Sequence, residues 1–226
     1  MKKKLFIGGL VILAGLVIAG LWQQGLLGNG DKRLFNQIKN KPELAALFEK
    51  VQKTKADIKN EPEKVSLYFD LGFYWKSIGE LGGGELFFKK SLEAYEMGIA
   101  KFGRKNILFY LNGGKLAERV GEFTKAELYY RKAMEISSAD ESGYLYLVDL
   151  YSYKMNKPKD EILKVFEDGT KKMVAPIPLI AGRAAYLRRI NDFALALDDY
   201  KLLSQTFPNN QGFKDVIQEL EQAIKK

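Results

Sequence analysis

The chain contains no cysteine and no histidine. Without cysteine there is no disulfide, no thiolate nucleophile and no thiolate metal site. Without histidine the chain lacks the group that most often exchanges protons near neutral pH and most often ligates metals. Carboxylates alone could hold a hard cation or act as acid and base, but no short motif places them to do so. The reading is therefore of a protein that is not an enzyme, with no catalytic residue, no cofactor and no metal. The absence of cysteine says little about compartment, because reducing and oxidising surroundings both tolerate it.

Charge is missing from one place in particular. After Met1 and three lysines, the eighteen residues from Leu5 to Trp22, LFIGGLVILAGLVIAGLW, carry none. As a helix this stretch would reach roughly 27 Å, close to the hydrocarbon thickness of a bilayer. Trp22, Gln23 and Gln24 would lie at the far interface, and Lys2, Lys3 and Lys4 favour a cytoplasmic amino end with the rest of the chain outside. Lys32, Arg33, Lys39 and Lys41 beyond the span work against that orientation. A cleaved signal peptide is the rival reading, with Ala19 or Gly20 at the cleavage position. The apolar run is long for that, and no clean Ala-x-Ala precedes the remainder. Residues 1–24 are thus expected to be a single-pass anchor in the cell membrane of a prokaryote, with the bulk of the chain extracytoplasmic. Gly15 and Ala19 form one small-x-x-x-small pair within it, a weak pairing signal.

The 226 residues suffice for one domain or two small ones. Residues 78–93 read IGELGGGELFFKKSLE and residues 120–136 read VGEFTKAELYYRKAMEI, the same pattern written twice at an offset of 42. It returns at 191 in NDFALALDDYKLLSQTFPNN, while Asn156 opens NKPKDEILKVFEDG, which keeps helical periodicity but loses the small residues. The turns therefore start at 79, 121, 156 and 191, spaced 42, 35 and 35. After the first two turns the second helix carries a small, a large and a small residue, Gly84, Phe88 and Ser91 in the first copy and Ala126, Tyr130 and Ala133 in the second, and the fourth has Ala196, Tyr200 and Leu203 at these places. Small residues let two helices approach while the ring fills the space between them, and one hairpin cannot cover its own apolar face.

This pattern resembles the tetratricopeptide repeat. Gly72 and Trp75 match its first helix before Gly79, as do Ala117 before Gly121 and Ala184 later, and Pro208 stands where that repeat places a proline. The spacing exceeds the usual period of about 34 residues. The resemblance implies an all-α fold, a right-handed superhelical solenoid of antiparallel helix pairs preceded by one transmembrane helix. Residues 25–61 would be a juxtamembrane linker and lead-in helix, the helix covering 42–58 behind an Asn-x-Pro-Glu start. Residues 62–210 would hold about four repeats, and residues 211–226 a capping helix with Phe213, Val216, Ile217, Leu220 and Ile224 inward.

No stretch carries chemistry. GGGELFFKKS at residues 82–91 lacks the ending and the preceding strand of a phosphate loop, and reads as an interhelical turn. Gly113-Gly114-Lys115 fails the same test and suits close helix contact. Asp198 and Asp199 point in different directions on a helix and read as solvated. Beyond Trp22 there are 33 Lys/Arg against 28 Asp/Glu, a net of +5 spread along the chain, with small clusters at Lys101, Arg104 and Lys105 and at Arg183, Arg188 and Arg189. These suit anionic lipid or an acidic partner better than nucleic acid.

In repeats of this kind the first helices line a groove. Carried onto this register, the groove residues are Phe69, Phe73, Lys76, Leu111, Lys115, Glu118, Tyr146, Tyr153, Ala181, Ala185 and Arg188. The chain has twelve tyrosines, several in GYLYLVDLYSYK, and tyrosine suits interfaces because it joins apolar area to a polar tip. The expectation is a membrane-tethered scaffold that binds a protein partner, as an accessory or assembly subunit of an extracytoplasmic membrane complex. A chaperone-like binder of exported polypeptides is the alternative. A small-ligand-binding domain or enzyme is the alternative of another class.

Overall fold

The computed structural model describes residues 29–225. The apolar span Leu5–Trp22 lies outside them, and among the described residues no helix is long and apolar enough to cross a membrane. The described chain is helical, with no strand. It divides between Glu122 and Phe123 into two compact units.

The first unit contains α1 (Asn29–Ile38), α2 (Pro42–Asn60), α3 (Val65–Ile78), α4 (Glu85–Phe102) and α5 (Ile107–Arg119). The segment expected to be a linker is thus partly helix: α1 folds onto α2 through Leu34 and Ile38, which are buried with Leu44, Phe48 and Val51. Sequence reading placed α2 but missed α1 and hence the pair, although Leu44, Phe48 and Val51 follow Lys39 at the same intervals as Ala126, Tyr130 and Ala133 follow Gly121. An aromatic file runs through the four helices α1 to α4. Phe35 meets Phe48 at 5.4 Å, Phe48 meets Trp75 edge-on at 5.7 Å, and Trp75 meets Phe87 at 5.8 Å.

Helices α3 and α4 come close because Gly72 has no side chain. A Cβ there would lie 2.7 Å from the Tyr95 ring, and the Ser91 hydroxyl donates to the Gly72 carbonyl at 2.7 Å. Gly98 plays the same part between α4 and α5, where a Cβ would fall 2.2 Å from Phe109. The turn between α3 and α4 departs from the expected register. Gly79 remains right-handed and packs beneath Phe88, and a wide π-type turn over Gly79–Gly83 follows. Gly84, expected to be a packing residue, has φ +101° and open space around it. The glycine that packs is Gly83, whose Cβ would meet the Ile78 carbonyl at 2.7 Å.

At the end of α5 the sequence reading and the backbone coincide. Gly121 has φ +80°, its N–H reaches the Glu118 carbonyl, and the N–H of Glu122 reaches that of Ala117. This double closure satisfies carbonyls that the helix end leaves free, and it needs a left-handed residue.

The second unit contains α6 (Phe123–Ile136), α7 (Ser142–Tyr153), α8 (Lys159–Lys172), α9 (Ile177–Arg189), α10 (Phe193–Thr206) and α11 (Gln211–Ile224). Asn191, at φ +61°, repeats the Gly121 closure: its N–H bonds the Arg188 carbonyl and that of Asp192 bonds Leu187. Asn156 is also left-handed, at φ +48°. Asparagine tolerates this conformation better than most side chains.

The third copy has not lost its small residue. Pro158 stands just before α8, so the helix starts three residues after the left-handed turn instead of two. Every packing position moves by one, to Ile162, Phe166 and Gly169, all buried. A Cβ on Gly169 would lie 2.5 Å from Leu179. At the carboxyl end, α11 buries Leu220 and sets Phe213 against Tyr200 and Phe207. Phe213, Val216 and Ile217 are half-buried, and Ile224, expected to face inward, is exposed, since the helix turns only one face to α10. Pro208 is exposed too and breaks the chain between α10 and α11 without packing.

Candidate functional site

The residues expected to line a groove do not share one environment. In the first unit Phe73 is 53% exposed, and Lys76, beside it on α3, pairs with Glu80 at 3.6 Å. Phe69 instead turns inward and stacks flat on Phe109, with centroids 4.0 Å apart and planes 7° from parallel. Leu111 is a core residue at 6% exposure, which removes it from any surface. Lys115 is exposed and Glu118 half-buried on α5.

In the second unit Tyr146 is half-buried against Tyr130 at 5.6 Å. Tyr153, the last residue of α7, is 58% exposed. Ala181 is half-buried and Ala185 is exposed. Arg188 is held in a fork by both oxygens of Glu219 from α11, at 2.9 and 2.7 Å. The exposed parts of the expected set are therefore Phe73 and Lys115 in one unit, with Lys76 half-buried, and Tyr153 and Ala185 in the other.

Clefts in both units carry polar groups. A cleft of about 330 Å³ in the second unit is lined by Leu163, Glu167, Arg183, Leu187, Leu195, Asp198 and Asp199. Asp199, read from sequence as solvated, is 5% exposed. Its two oxygens accept from Arg183 Nε at 2.8 Å and from a terminal guanidinium nitrogen at 2.6 Å. This bond and the negative charge hold the Arg183 pKa above its usual value, against burial. The signal available in the sequence was position, because Asp199 directly precedes the buried Tyr200 of the repeat pattern. The first unit has a more open cleft of about 650 Å³ around the end of α4 and the start of α5. Glu63 pairs there with Lys101 at 2.7 Å, and the Asn106 side chain caps α5 by accepting from the Leu108 N–H at 3.0 Å.

A partly buried polar knot joins α6 to α7. The Tyr151 hydroxyl donates to Glu127 at 2.6 Å and accepts from Arg131 at 2.6 Å, while Arg131 also reaches Glu127 at 3.0 Å. Burial first, then the bond to Glu127, pushes the Tyr151 phenol up to about 12. Burial alone would raise the Glu127 carboxyl, but the bonds from Tyr151 and Arg131 outweigh it and hold it below its usual value. The knot fixes one helix on another.

Among the described residues no cluster of acidic side chains is arranged to hold a metal ion. No protein-family model and no curated protein matches the chain. Among solved structures, the chain is similar to a tetratricopeptide repeat protein from Parabacteroides merdae, at 16% identity and a TM-score of 0.54. The match covers 88% of this chain and 75% of that one. At that identity the likeness bears on the fold alone: an all-α helical repeat of tetratricopeptide type, as the sequence pattern implied.

Proposed function

We propose that this chain is a membrane-tethered protein-interaction scaffold, an accessory or assembly subunit of an extracytoplasmic membrane complex. The observation that carries it is the exposure of large aromatic side chains, Phe73 on α3 and Tyr153 on α7, on the first helices of repeated hairpins. Such rings on rigid helices offer apolar area at low entropic cost to a partner. The tether rests on the uncharged run Leu5–Trp22 and the lysines before it. Confinement to the membrane plane suits a protein that serves a membrane complex.

The test is crosslinking in living cells through photoreactive residues placed at 73 and at 153 of the full chain, followed by recovery from membranes in mild detergent. The expected result is one dominant stoichiometric membrane protein. Many exported polypeptides at low occupancy would replace this reading with the chaperone-like one, and recovery of the bait alone would overturn both.

A further inference from the structure

We infer that Arg189, shelved on two tyrosine rings, is an anion-binding position for an acidic segment of a protein partner, with Lys154 beside it in the repeat register. The Arg189 guanidinium lies 4.5 Å from the centroid of Tyr153 on α7 and 5.3 Å from that of Tyr186 on its own helix. A guanidinium held against a ring face by its central carbon keeps N–H groups that can make two parallel bonds to a carboxylate. Among the described residues no carboxylate takes those of Arg189 in a hydrogen bond or ion pair. Asp192, three residues on, is paired with Lys159, and Glu219 is paired with the adjacent Arg188; Asp160, whose charge also reaches Tyr186, makes no ion pair with Arg189.

The position recurs. Arg189 stands two residues before the left-handed Asn191, and Lys154 stands two before the left-handed Asn156, 35 residues earlier. Lys154 is exposed and has no acidic partner among the described residues. In the first unit the same place belongs to Arg119, two before Gly121, whose guanidinium lies 4.7 Å over the Phe88 ring. A cation near a helix C-terminus gains from the helix dipole wherever its side chain points, so that effect accounts for Lys154. It does not require Arg189 to rest on a ring of a different helix.

The occupant follows from the two parts of the site. A charged edge takes a carboxylate, and the still-exposed Tyr153 ring beside it takes an apolar side chain next to that acid. This inference rests on the scaffold reading and names the chemistry of the partner.

The experiment is fluorescence anisotropy of the full chain in neutral detergent with a fluorescein-labelled peptide of repeating glutamate and alanine. Arg189→Gln is expected to weaken binding about tenfold, Arg189→Lys and Lys154→Gln about threefold, because the point charge of lysine lacks the planar fork. Lys214→Gln, which removes an exposed charge on α11, is expected to change nothing. Helical content and melting of each variant report folding separately. Absence of peptide binding by the parent chain, or equal losses in Lys214→Gln and Arg189→Gln, would overturn the site. So would an Arg189→Gln variant that loses phosphatidylglycerol vesicles while it keeps the peptide. If the crosslinked membrane partner persists undiminished with Arg189→Gln, this site fails and the scaffold stands. If the peptide binds in the expected order but no partner is ever recovered, the site stands and the scaffold fails.

Discussion

Single atoms decide several features of this chain. At Gly98 the missing Cβ leaves the space that Phe109 fills, so Gly98→Ala sets helix propensity against overpacking, and overpacking wins. The substitution is expected to destabilise the fold by about 2 kcal/mol, read as a lower urea midpoint of the full chain. Asp199→Asn removes one partner of a largely buried ion pair and strands Arg183. Because the Arg183 side chain keeps some solvent, the expected cost is about 2 kcal/mol, below that of a fully buried pair. Tyr151 gives a pH dependence with a definite sign. Its folded pKa is about 12 against an unfolded value near 10. The folded chain therefore holds a proton that the unfolded chain has lost between those values, and stability falls as pH rises through that window. Glu127, held below its usual value, acts oppositely: its contribution is present above the unfolded carboxyl pKa and fades as pH falls toward the folded one. Tyr151→Phe should remove one late-titrating phenol from the tyrosinate absorbance curve and flatten the alkaline loss of stability. An unchanged curve would mean that Tyr151 ionises like an exposed phenol.

Helix ends set the register of the elements. Gly121 and Asn191 close their helices in the same left-handed form, so Gly121→Ala is expected to cost about 1 kcal/mol, and Asn191→Gly to leave stability equal or raise it slightly. Thermal melts of the two variants check the pair. These turns were legible in the sequence because few residue types tolerate a positive φ, and glycine or asparagine marks the place. The buried Ala126, Tyr130 and Ala133 were legible for a related reason, since volume at fixed spacing is a strong constraint. The third copy was harder to read because one added turn residue before α8 shifts every packing position without changing helical periodicity. Gly84 was misassigned because glycine serves equally for a turn and for close approach, and sequence does not say which. Groove residues were the least legible. Phe69 and Phe73 lie one helical turn apart on α3, yet one stacks in the core and the other faces out. That difference depends on where Phe109 of the next helix falls.

For the whole molecule, the reading depends on a segment that precedes α1. If Leu5–Trp22 anchors the chain with its lysines inside, protease added to spheroplasts should digest the helical part, and alkaline carbonate should leave the chain in the membrane fraction. Protection from protease until the membrane is opened would reverse the orientation and place the scaffold in the cytoplasm. Deletion of residues 2–22 should release the protein from the membrane fraction while keeping its helical content, because each unit has its own packed helices.

The chain has two tryptophans, Trp22 and Trp75. Trp75 is 2% exposed, ringed by Phe48 and Phe87 with the Lys55 ammonium 5.4 Å from its centroid. Trp22→Phe would therefore leave a single emitter, shielded from water and located in the first unit alone. Its emission should be blue-shifted, insensitive to aqueous quenchers, and red-shifted when that unit opens. Far-ultraviolet circular dichroism follows both units together. A gap between the two signals during denaturation would show the units unfolding separately, so this protein carries its own optical probe of whether its repeats melt as one.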